Sequence, residues 1–160
     1  MKKSFWLFLL LSIIIMIMIF CFSSQTAENS TDLSRIVTES ITNFFTNKSH
    51  FFTEKEYESF LNSFEKILRE AAHFVIFLFL GFFVHGTAVK FKKKSSDKVV
   101  VFSLFFCTLY AFLDEFHQFF VSGRTAQSVD LVIDFLGAFL GMKIFSFIYL
   151  KYKNNNSKPM

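Results

Sequence analysis

Residues 5–22 read FWLFLLLSIIIMIMIFCF, an unbroken apolar run without one charged side chain. As a helix, roughly 20 such residues cross a hydrocarbon core about 30 Å thick. Lys2 and Lys3 precede the run, and a secretory signal peptide begins in the same way. The apolar core of such a peptide is shorter, about 7–15 residues, and closes on a small-x-small cleavage site. Here the nearest candidate, Gln25-Thr26-Ala27, carries the wrong first residue, and Phe20 before Cys21 does not suit a lipoprotein signal. The run therefore reads as an uncleaved anchor helix.

Three further apolar runs follow, at Ala71–Val89, at Val99–Val121 and from about Ser128 to Leu150. The chain has 160 residues, 52% of them hydrophobic, with 27 Phe and a single Pro, a length that suits one domain. A water-soluble domain of this composition would need alternating polar faces, and these runs have none. The expected fold class is all-α: an integral membrane four-helix bundle with amphipathic helices in the first extracellular loop. Residues 1–22 form the N-terminal anchor and 23–70 the extracellular loop. A three-helix transmembrane core covers 71–150, and 151–160 is a disordered cytoplasmic tail. Within the loop, Leu33, Ile36, Val37, Ile41, Phe44 and Phe45 recur at helical spacing. Thr53-Glu54-Lys55-Glu56 reads as a capping box, and Tyr57, Phe60, Leu61, Phe64, Ile67 and Leu68 form a second stripe. Such helices lie on the membrane surface or pack against the other spans; the spacing fits both.

The formal net charge is +4, and the basic residues cluster between apolar runs. That pattern sets membrane orientation and excludes nucleic acid as a partner, which would require a basic folded face. Segment 90–98 holds five Lys, the chain after Leu150 three, and the amino end two, while the turn between the third and fourth spans has only Arg124. With four spans these dense segments share one side, so both termini are expected in the cytoplasm of a cell-membrane protein. Cys21 and Cys107 lie in apolar runs at different depths and read as unpaired packing residues.

The same topology gathers the polar residues at the other side. Ser24 and Gln25 follow the first span, and Arg69 and His73 open the second. Asp114, Glu115, His117 and Gln118 occupy the last part of the third, and Asp130 and Asp134 the first turns of the fourth. Asp130, Asp134, Gly137 and Gly141 form one stripe at i, i+4, i+7 and i+11. Its Gly-x-x-x-Gly pair permits close approach of another helix. His73, Phe77, Gly81 and His85 form a comparable stripe. Carboxylates in apolar surroundings must be paired, hydrated or protonated, and His73, His117, Arg124 and Arg69 are the natural partners. A structural polar network and a functional site are both compatible with this pattern.

The string Asp114-Glu115-Phe116-His117-Gln118-Phe119-Phe120-Val121-Ser122-Gly123-Arg124, followed by Asp130, Asp134, Gly137 and Gly141, resembles the signature of the VanZ-like family. Phe22-Ser23-Ser24-Gln25 and Arg69…Ala72-His73-Phe74…Gly81 resemble its other two recurring blocks. Two positions depart from that pattern. Ser122 stands where members commonly have Pro, and Glu70 stands where they often have a basic residue. The resemblance implies a small multi-span bacterial envelope protein, and its namesake is associated with low-level resistance to the glycopeptide teicoplanin.

Three functions suit these residues. A non-enzymatic protein would bind a polar headgroup in the outer leaflet, such as a lipid-linked wall precursor or a glycopeptide. Arg124 and Arg69 would meet phosphate or carboxylate, and the acids would meet amines and hydroxyls. An intramembrane hydrolase or transferase would use His117 or Glu115 as base, with Asp114 or Asp130 as orienter, or a divalent metal on His73 and His117. A proton-coupled carrier would relay through Asp114 and Asp134, with a second copy docked on the glycine stripe. No motif assigns a cofactor or a metal, and no spacing identifies a catalytic residue.

Overall fold

In the computed structural model the described residues are 2–26, 35–38, 40, 54–122 and 128–156. They form four long helices, α1 (Lys2–Ser23), α2 (Glu54–Lys92), α3 (Asp97–Gln118) and α4 (Ser128–Asn156), with no strand among them. All four are long and apolar enough to span a membrane. Large side chains such as Leu7, Ile14, Phe105, Phe116 and Phe147 cover the outside of the bundle. In water that surface would be untenable, and in lipid it is the expected one. The chain is an all-α, multi-pass membrane bundle.

α2 has 39 residues, about 58 Å at 1.5 Å per residue, nearly twice what a span requires. The second amphipathic stripe and the second apolar run are one helix, because Arg69-Glu70-Ala71-Ala72 between them contains no Gly or Pro to break it. A boundary at 70/71 therefore falls inside a helix. On the stripe, Leu61 is buried while Phe60 and Ile67 are exposed. The short helical piece 35–38 lies against this part of α2, with Arg35 donating to both carboxylate oxygens of Glu58 at 3.0 Å. The rest of the first amphipathic stripe and Thr53 of the capping box lie outside the described residues.

α3 begins after Ser96, which is extended (φ −150°, ψ 161°), and carries Asp97 in its first turn, where negative charge suits the helix dipole. Its end tightens: Phe120 N–H donates to the His117 carbonyl at 3.0 Å and Val121 N–H to that of Gln118 at 3.0 Å. α4 continues to Asn156, past Leu150, so Lys151–Asn156 is helical where a disordered tail was expected. No Gly or Pro interrupts it there, and Lys153 in the last turn complements the dipole.

α1 and α3 run one way, and α2 and α4 the other. The most extensive interface is α2 with α4. It depends on glycine: a Cβ added at Gly137 would meet the Phe74 carbonyl, and one at Gly141 the Leu78 carbonyl. Gly81 lies equally close to the Ala138 backbone. The stripe thus faces the bundle, against α2 of the same chain, and is not free for the second copy that a carrier would dock there. Ile19, Phe77, Leu80, Val84, Cys107, Ala111 and Ala138 form the main core, and both cysteines are free. A second cluster, Val89, Val99 and Phe145, lies nearer the lysine-bearing end, with Phe8 in edge contact with Phe145 at 5.6 Å.

Candidate functional site

His73, Asp114 and Asp134 stand at matching heights on three helices. Each lies about 26 Å along its axis from a charged residue at the other end, namely Lys90, Asp97 and Lys151. In a core about 30 Å thick this puts them in the layer farthest from the lysines. The end of α1 reaches the same level. Four elements therefore build one polar zone.

On the α2–α4 side, His73 Nδ1 lies 3.5 Å from Asp134 Oδ1, with Asp134 fully buried and the His73 side chain 20% exposed. Neither Asp134 oxygen has a hydrogen bond of standard geometry, so the imidazole is its electrostatic counterpart. Asp114 and Asp130 are also within electrostatic reach of His73. Arg69 is half-buried one turn from His73, and Asp130 one turn from Asp134. Because α2 and α4 are parallel here, those two residues rim the same side.

On the α1–α3 side, Gln118 Nε2 donates to Asp114 Oδ2 at 3.0 Å, and Asp114, Glu115 and Gln118 are all buried. The buried Ser23 hydroxyl faces Asp114 but makes no bond of standard geometry to it. Ser24 Oγ and His117 Nε2 are 3.2 Å apart, and the His117 ring lies against Phe20 with centroids 4.9 Å apart. Ser24 Oγ also donates to the Phe20 carbonyl at 2.7 Å. A hydroxyl has one proton, so in this arrangement the His117 Nε2–H donates to Ser24. Gln25 is half-buried beyond them. Arg124 lies outside the described residues.

The zone thus joins Ser24, His73, Asp114, Glu115, His117, Gln118, Asp130 and Asp134, with Arg69 and Gln25 at its margin. Among the described residues, no three His, Cys, Asp or Glu side chains are arranged to hold a metal ion. Its acids and imidazoles can bind amines and hydroxyls, and Ser24, His73, His117 and Asp130 are members open to the surroundings.

Sequence reasoning passed over Tyr110 and the two serine partners of His85. Tyr110 donates to the Met16 carbonyl at 2.6 Å, tying α3 to α1 one turn from Asp114. Farther along, the fully buried His85 bridges three helices, 3.1 Å from Ser103 Oγ and 3.0 Å from Ser146 Oγ. Ser103 gives its proton to the Val99 carbonyl at 2.7 Å. His85 therefore donates through Nδ1 and accepts from Ser146. The readable signal was a stripe of small and polar residues on α3, Ser103, Cys107, Ala111 and Asp114, all of them buried.

A glycine-sealed bundle with charged groups converging inside its membrane layer defines a multi-pass membrane protein with an intramembrane polar site. A family model described as VanZ/LLP1 matches residues 8–149, and the chain belongs to that family. No curated protein and no solved structure matches the chain.

Proposed function

We propose that the polar zone is a binding site for the headgroup of an amphiphilic cell-envelope molecule, in the leaflet opposite the lysine-rich loops. The observation that carries this reading is the convergence of ionisable groups from three helices, α2, α3 and α4, with the serines at the end of α1 beside them, at one membrane depth. Such groups are costly in hydrocarbon and are retained there chiefly for function. The positive-inside rule assigns the segment Lys90–Lys98 and both termini to the cytoplasm, and hence the zone to the outer leaflet. A lipid-linked wall precursor or a lipoglycopeptide such as teicoplanin offers amines and hydroxyls at that depth. Asp114, Glu115, Asp130 and His117 suit such groups. Arg69 and Arg124 suit phosphate or carboxylate. Capturing such a molecule would protect the envelope from a glycopeptide without chemical turnover.

One form of the competing enzymatic reading has His117 take a proton from a hydroxyl. The nearest one, Ser24, already gives its proton to the Phe20 carbonyl. That hydrogen bonding favours binding over this one form of catalysis.

The test is calorimetric titration of the detergent-solubilised chain with teicoplanin. Wild type is expected to bind saturably, and His117→Ala to bind about tenfold or more weakly through loss of one hydrogen bond to a charged group. Equal affinity in both proteins, or conversion of the ligand into a product, would overturn the proposal.

A further inference from the structure

A second feature lies at the opposite end of the bundle. Between α1, α2 and α3 there is a cleft of about 1100 Å³. Small-ligand cavities run to roughly 300–1,000 Å³, so this one has room for a long flexible chain. Leu9, Ile13 and Met16 of α1, Val84 of α2, and Phe102 and Phe106 of α3 line it. Lys92, Lys94 and Lys98 stand at its mouth. Among the described residues no ion pair engages these three lysines. The one acid in segment 90–98 is Asp97, against five Lys.

Length defines the occupant further. From Phe5 at the mouth to Met16 at the deep end, α1 rises about 16 Å, close to half of a ~30 Å hydrocarbon core. The cleft is one leaflet deep. The bond from Tyr110 to the Met16 carbonyl closes its floor and separates it from the polar zone. α1 and α3 otherwise touch little, so the cleft opens sideways to the bilayer.

We infer that this cleft holds an acyl chain of an anionic phospholipid from the leaflet on the lysine side, with the phosphate on Lys92, Lys94 and Lys98. The apolar walls accept a hydrocarbon chain, the depth fits a single monolayer, and the cationic mouth selects negative over zwitterionic headgroups. The lipid would also fill the gap that leaves α1 loosely packed.

The test is native mass spectrometry of the full chain in detergent, with phosphatidylglycerol and phosphatidylcholine of identical acyl chains. A lysine near an anionic headgroup is worth about fivefold in affinity. Phosphatidylglycerol should therefore be retained up to about 100-fold better than phosphatidylcholine. In Lys92→Gln/Lys94→Gln/Lys98→Gln, at three exposed positions where α2 ends and α3 begins, that preference should fall to near unity. Ile13→Trp, which fills the cleft from the exposed face of α1, should weaken retention of both lipids about tenfold or more. Equal retention of the two lipids by wild type overturns the inference, as does a preference that survives the triple substitution. Undiminished retention by Ile13→Trp would place the lipid outside the cleft and also overturn it.

Discussion

Replacing Gly141 by alanine adds one methyl group where α4 meets α2. The new carbon would lie 2.9 Å from both the Leu78 carbonyl carbon and the Phe82 nitrogen, and closer still to the Leu78 oxygen. These are backbone atoms of a helix, so no rotamer change relieves the contact and the two helices must move apart. Two effects oppose each other. Alanine is the better helix former by about 1 kcal/mol, whereas overpacking a tight interface costs about 1–3 kcal/mol, nearer the upper limit when the obstacle is backbone. The net is a loss of about 1–2 kcal/mol, or roughly 2–8 °C in Tm for a chain of this size. Separation would also lengthen the 3.5 Å approach of His73 to Asp134, about two turns away on the same pair of helices. The assay is thermal unfolding in detergent, with Leu140→Ala, on the exposed face of α4, as control. If Gly141→Ala proves as stable as wild type or more so, α4 does not meet α2 through its glycines.

Removing His73 should leave the buried Asp134 without a counterpart. His73→Ala is expected to lose about 3 kcal/mol, and Asp134→Asn in the same background should recover most of it in thermal unfolding. His85→Ala removes the donor to Ser103 and the acceptor of the Ser146 hydroxyl inside the bundle and should cost about 1–3 kcal/mol. Because it is far from the polar zone, it should leave teicoplanin affinity unchanged. Lys93 has a positive φ of 55° just after α2. Lys93→Gly should therefore raise stability by about 1 kcal/mol, readable as a higher Tm. For orientation, Gln25→Cys in a Cys21→Ser background should react with an impermeant maleimide on intact cells, and Lys94→Cys only after permeabilisation.

Run length and charge density made the four spans legible, because the bilayer demands both in a single stretch of chain. The face of each helix was legible for the same kind of reason. Asp130, Asp134, Gly137 and Gly141 must share a stripe, and that stripe faces α2. Which helix it would face was not legible, since period 3.6 identifies a buried side and not its partner. The length of α2 escaped notice because the change from amphipathic to apolar at residue 70 resembles a boundary, although Arg69-Glu70-Ala71-Ala72 holds the helix together. At the candidate site, the ionisable members announced themselves by their cost in hydrocarbon. Ser103 and Ser146 did not, because a serine in a helix can satisfy itself on its own i−4 carbonyl, as Ser103 does on Val99. Tyr110 was hidden by the ease with which an aromatic ring passes for core.

The most direct measurement on the polar zone is teicoplanin susceptibility of a sensitive Gram-positive host at matched membrane levels of protein. It would compare wild type with Glu115→Gln, His117→Ala and Arg124→Ala. A headgroup-binding role calls for protection by wild type that each substitution reduces, with His117→Ala the clearest because it is the partly open imidazole at the rim. Equal protection by all four would contradict that role and leave the zone as a polar network that only holds the helices together.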